Sequence, residues 1–190
     1  MRVMDWAATG EEQQPYASAE ARDEAIQAGG RRTGAELAED LRSAAAAFDE
    51  RARSLPDRAW STEVRPRGEP LTPARLLMVR LREVEIHHVD LDAGYRVADI
   101  PDWVALWVLD DVLATFAQRP DAPAVRVRAT DVDVERELGS GGPTVTGPLA
   151  ALVGWLTGRV RPETLGEELS VAGAGDPEQP ADLPDVPRWM

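Results

Sequence analysis

Glu83 and His87 stand one helical turn apart in the stretch TPARLLMVRLREVEIHHVDLDAGY, residues 72–95. A carboxylate and an imidazole at positions i and i+4 share a helix face and can turn toward one ligand. Together they suit zinc or a similar divalent ion. The pair belongs to a polar row of Arg80, Glu83, His87 and Asp90. Beside it runs an apolar row at helical spacing, Leu77, Leu81, Val84, His88 and Leu91, which reads as the buried face. Alone, a Glu–His pair on a helix is most often a surface contact contributing a few tenths of a kcal/mol. The neighbouring apolar stripe, the extended polar row and the absence of any histidine besides His87 and His88 favour the metal reading.

Two donors do not make a catalytic zinc site, which usually takes three protein ligands and a water. His88 lies about 100° round the helix from His87, so it is expected at the helix interface or paired with Asp92. Asp90 is a candidate to hold a metal ligand from behind or to pair with Arg80. Arg159, in GWLTGR, can grip a substrate carboxylate bidentately or sit as a cation at a helix C-terminus. Trp60, Trp103, Trp107 and Trp155 read as core. There is no dinucleotide fingerprint, phosphate loop or nucleophile elbow.

The elements that must position these groups follow from periodicity and punctuation. Thr72 and Pro73 open the central helix and Gly94 closes it. Before it come a helical segment over residues 1–9 and a short polar helix capped by Ser18. Thr33-Gly34-Ala35-Glu36 is a capping box that opens a helix with Leu37, Leu41, Ala44, Phe48 and Leu55 as its buried face. After residue 98 a helix through DWVALWVLDDVLATF precedes alternating APAVRVRATDVDVEREL, a short TVTG strand and the apolar helix PLAALVGWLTGR. This is an α+β pattern: helices over residues 1–98, a small α+β unit over 99–172, and an extended tail over 173–190 in which Trp189 docks. The first part looks one or two helices short of a bundle.

The chain has 190 residues, no cysteine and a net charge of −13. A chain this acidic offers no basic patch for nucleic acid. Without cysteine, any thiol chemistry needs a thiol cofactor. No stretch is apolar enough to span a membrane, and no export signal opens the chain, so a cytoplasmic location is expected.

LREVEIHHVDLDAGY, QQPYASAEARDEAIQAGG, GPLAALVGWLTGR and LPDVPRW together resemble the mycothiol-dependent maleylpyruvate isomerase family of actinobacteria. The resemblance implies a DinB-like metal-binding bundle followed by a sterol-carrier-protein-like α/β domain. It implies zinc held by Glu83 and His87, with mycothiol as the thiol cofactor and a small-molecule carboxylate as substrate. The reaction implied is thiolate addition to a cis double bond, rotation and elimination, or a related thiol transfer. Arg159, with Arg161 in reserve, is the implied holder of the substrate carboxylate. The family's third ligand, a histidine of an earlier helix, has no counterpart in these residues. The resemblance therefore implies that the first bundle helix and most of the second are missing. Exposed apolar faces would then call for a partner or a second copy, a homo-oligomer. The alternative is a non-catalytic truncated paralogue acting as a binding or oligomerising module.

Overall fold

The computed structural model describes residues 2–160, 168–174 and 176–189, without the side chains of 67 and 176–180. The chain divides into two units, Met1–Arg80 and Leu81–Met190. The division falls within α4, so the last turns of that helix belong with the later unit.

In the first unit, α1 (Arg2–Thr9), α2 (Ala19–Gly29) and α3 (Gly34–Arg53) precede two 3-10 turns and the start of α4 (Pro73–Asp90). The helix starts follow the expected chemistry. The Ser18 hydroxyl accepts from the Ala21 N–H, and Thr33 and Glu36 form a reciprocal capping box. Thr72 Oγ1 accepts from the Arg75 N–H at 3.2 Å. Val3, Met4, Ala7, Leu55, Ala59 and Val64 form a small core with Phe48, Ala52, Trp60 and Leu76 packed on it. Only the C-terminal end of α3 reaches this core. Leu37 and Leu41, expected inside, are 42% and 59% exposed.

In the second unit, α5 (Asp102–Phe116), β1 (Val125–Ala129), β2 (Val134–Leu138), β3 (Thr144–Gly147) and α6 (Leu149–Thr157) appear in the expected order. β4 (Ser170–Gly173) and β5 (Asp176–Pro180) follow, so part of the expected tail is strand. Sheet order is β2-β1-β3-β4-β5, with β1 and β3 parallel and the other neighbours antiparallel. β1 alternates as anticipated, burying Val125, Val127 and Ala129 while Arg126 and Arg128 face out. These residues join Val145 of β3 and the apolar faces of α5 and α6 in one core. At the start of α6 the Asp131 carboxylate accepts the Leu149 N–H at 2.9 Å. A carboxylate is favourable there, where N–H groups lack helical partners. No helix among the described residues is long and apolar enough to cross a membrane.

Two expectations about buried faces are corrected. Of the expected row, Leu81 packs on the core, whereas Leu77, Val84 and His88 of α4 and Leu91 just beyond it are exposed; Ile86 is fully buried and Val89 packs on the core. The inward row is 82–86–89, and it escaped notice because Arg82 occupies it. On α5 Leu113 and Phe116 are buried together with Val104, Val108, Asp111 and Val112, whereas Trp103, expected in the core, is 61% exposed. Arg82 of α4 and Asp111 of α5 are charged residues at core-facing positions, and they satisfy each other.

α4 also ends at Asp90, earlier than expected. Asp92 at φ 49° turns the chain into the left-handed region before Gly94 does so at φ 95°.

Candidate metal and ligand site

The Leu81–Asp90 portion of α4 brings Glu83 and His87 together as their spacing requires. His87 Nε2 lies 3.4 Å from Glu83 Oε2. That is long for a good hydrogen bond. It matches the separation of about 3.4 Å between two donors each about 2.1 Å from a tetrahedral zinc ion. The other nitrogen, His87 Nδ1, is 2.8 Å from Asp90 Oδ2. A ring whose far nitrogen is held by a carboxylate presents Nε2 as the free donor, which is the usual arrangement behind a metal-binding histidine. His87 is the most exposed member of the set at 56%, so an incoming ligand can reach it.

Asp90 is itself held. Arg159 donates from Nε to Asp90 Oδ1 and from a terminal nitrogen to Asp90 Oδ2, both at 2.9 Å. This fork keeps the Asp90 carboxyl below its ordinary pKa, against the opposing effect of burial, with His87 contributing further. The remaining terminal nitrogen of Arg159 donates to the Thr157 carbonyl at 2.8 Å. Arg159 thus sits as a cation at the C-terminal end of α6, and its fork holds the protein's own Asp90 rather than an outside carboxylate. The turn that aims it depends on Gly158, whose φ of 70° closes α6 in a left-handed conformation. Arg161 lies outside the described residues.

On the other side, Arg82 donates to Glu83 Oε1 at 2.7 Å and to Asp111 Oδ2 at 2.5 Å. With one oxygen of Glu83 engaged, the other is left toward His87. Burial alone would lower the pKa of Arg82, but its bonds to Glu83 and Asp111 outweigh this and raise it. Arg82 Nε is buried without a protein acceptor. An unpaired buried donor costs about 1–3 kcal/mol. The Trp189 ring offsets part of that cost, lying 5.3 Å from the Arg82 guanidinium carbon, where a desolvated cation–π contact contributes about 2 kcal/mol. Trp189 also lies 5.8 Å from the guanidinium carbon of Arg159.

His88 takes no part. Its ring stacks on Tyr95 at 4.0 Å between centroids, and not against Asp92. Arg82, Asp111 and Trp189 were not singled out by sequence reasoning as site residues. The legible signals were Arg82 adjoining Glu83 and an acid set into the apolar face of α5.

The donors fit zinc as two ligands of a larger set. Among the described residues no group of three or more histidine or acidic side chains is gathered to hold an ion. Beside Asp90 and Arg159 opens a cleft of about 570 Å³ lined also by Thr157, Gly158, Val186, Pro187, Arg188 and Trp189. A second cleft of about 470 Å³ shares Arg159 and is lined by Val89, Tyr95, Val97, Pro148, Ala151 and Val160 among others. An arginine shared by two clefts can face a small acid from either.

Comparison with known proteins gives the family and the fold. The family model for the mycothiol maleylpyruvate isomerase N-terminal domain matches residues 2–92, and the model for the MDMPI C-terminal domain matches residues 103–181. Among curated proteins no sequence matches significantly. Two solved structures match over 99% of this chain and 75% of theirs, each at 27% identity. One is a crystal structure of the mycothiol-dependent maleylpyruvate isomerase, with a TM-score of 0.83. The other is a histidine-to-alanine mutant of the mycothiol-dependent maleylpyruvate isomerase, with a TM-score of 0.84. The two family models between them take in both units, and the fold follows the isomerase throughout, so the chain belongs to the mycothiol-dependent maleylpyruvate isomerase family.

Proposed function

We propose that this protein is a cytoplasmic, zinc- and mycothiol-dependent isomerase or thiol transferase acting on a small unsaturated carboxylate of the maleylpyruvate type. The observation that carries the reading is the Glu83–His87 pair, 3.4 Å apart and braced from both sides. Glu83 and His87 would hold the ion. Bound there, zinc would lower the pKa of a mycothiol thiol, and the thiolate is the nucleophile that addition to and elimination from a cis double bond require. The protein's own part is orientation. Asp90 fixes the His87 ring, Arg82 fixes Glu83, and Arg159 neutralises Asp90.

Arg159 uses three of the five N–H donors of a guanidinium on Asp90 and Thr157. The two that remain are the candidates to grip a substrate carboxylate at the cleft. Zinc titration of the 190-residue chain tests the reading. One tightly bound zinc that disappears in Glu83→Ala and in His87→Ala is the expected result. No bound metal at micromolar zinc would overturn it.

A second reading is a non-catalytic binding or oligomerising module. The observation favouring it is the exposure of Leu37, Leu41, Leu77, Val84 and Leu91, of which Leu37 and Leu41 lie on successive turns of α3. Sedimentation showing a stable oligomer, together with no zinc, would decide for it.

A further inference from the structure

We propose that Trp189 is a positioning residue for the Glu83–His87 pair, acting through Arg82 and Arg159 at once; this rests on the zinc reading above. The two donors are braced by different arginines. Arg82 holds Glu83 directly, whereas Arg159 holds Asp90, which holds His87. Along α4 the two braces meet through the 3.4 Å approach of His87 Nε2 to Glu83 Oε2, which is long for a good hydrogen bond. Trp189 adds a second link, since its ring lies within cation–π range of both guanidiniums, at 5.3 and 5.8 Å.

The indole is well placed for this work. It is 8% exposed and belongs to the core formed by α5, α6 and the sheet. Its segment is anchored on either side of Val186: Trp155 Nε1 donates to the Pro184 carbonyl at 3.3 Å and Arg119 to the Arg188 carbonyl at 2.7 Å. The ring is thus fixed to the scaffold independently of the arginines it meets. It also compensates the one buried Arg82 nitrogen that lacks an acceptor. Removing the ring would free both guanidiniums to turn toward water, and both donors would lose their orientation together. Trp189 reaches Glu83 and His87 through the two arginines, so its influence is indirect.

The test compares Trp189→Ala, Trp189→Phe and a core control, Phe116→Leu, in the full chain. Zinc affinity is measured by titration, and the Arg82 and Arg159 Nε–H signals are followed by NMR without metal. Trp189→Ala is expected to weaken zinc binding about 10–100-fold, the range for lost outer support of a metal site. Both arginine signals should lose their ring-current shift and exchange faster with water. Trp189→Phe should recover most of the affinity, and Phe116→Leu should leave it unchanged. Unaltered affinity in Trp189→Ala, unaltered arginine signals, or an equal loss in Phe116→Leu would overturn the proposal. If the wild type binds no zinc, the zinc reading fails separately. The arginine signals then decide alone, their change supporting the coupling and their persistence overturning it.

Discussion

Asp90 and Arg159, 69 positions apart in the chain, meet through two parallel hydrogen bonds of 2.9 Å. Asp90 spends one of the same oxygens on His87, so the carboxylate joins a helix-borne imidazole to the end of α6. Asp90→Ala leaves the Glu83–His87 spacing intact and releases the ring. Zinc affinity is expected to fall about 10–100-fold, against complete loss in His87→Ala, and calorimetric titration of both variants checks this.

Arg159→Lys keeps the charge and discards the planar fork, which a lysine cannot reproduce. Asp90 is partly open to solvent, so the loss in stability is modest, about 1 kcal/mol by urea unfolding. The pH dependence has a definite sign. Asp90 has a folded pKa held below its ordinary value, so its contribution is present above the unfolded value and lost as pH falls through the folded one. The stability gap between wild type and Arg159→Lys should therefore close in acid, below about pH 4.

Tyr95 carries an alkaline signature. Burial, and then the Glu85 carboxylate that its hydroxyl meets at 2.5 Å, push its pKa from 10.0 to about 12. A raised folded pKa stabilises fully below the unfolded value and is lost as pH climbs through the folded one. Followed by tyrosinate absorbance in a Tyr16→Phe background, Tyr95 should ionise near pH 12. Glu85→Gln should bring that midpoint down. The stability advantage of wild type over Tyr95→Phe should shrink between pH 10.0 and about 12.

Gly154, inside α6, is set by contact with the chain that follows the helix. A methyl group there would come within 2.1 Å of Val160 Cγ2. Alanine gains about 1 kcal/mol over glycine in helix propensity. Overpacking against a stiff β-branched neighbour costs about 1–3 kcal/mol and takes the net effect to destabilisation. Gly154→Ala should lower the thermal midpoint, and Val160→Ala in the same chain should recover much of the loss.

What could be read from residues alone divides along physical lines. Local chemistry was legible: the caps at Ser18, Thr33 and Thr72, the alternation of β1, and the i, i+4 meeting of Glu83 with His87. The α4 face was misread where a charged pair is buried. Arg82 and Asp111 both sit on inward rows, and hydrophobic periodicity assigns such residues to solvent, so the row 82–86–89 was missed although Leu81 of the expected row and Leu113 and Phe116 of α5 do face the core. Strand β5 was hidden because a segment with proline at its second and last positions reads as tail. The partner of Arg159 was beyond reach, since no local pattern links residues on α4 with the turn after α6.

The two proposed metal donors and their immediate braces, Arg82 and Asp90, come from one helix, while the groups that hold those braces come from α5, the end of α6 and the segment carrying Trp189. Spacing is therefore a short-range property and aim a long-range one. In folding, short loops close before long ones. A chain with α4 formed and the later unit still open would hold Glu83 and His87 at their native separation yet leave both free to swing. Ion capture would be weak at that stage and strengthen as the distant segments arrive, so the ion would reward the last contacts to form.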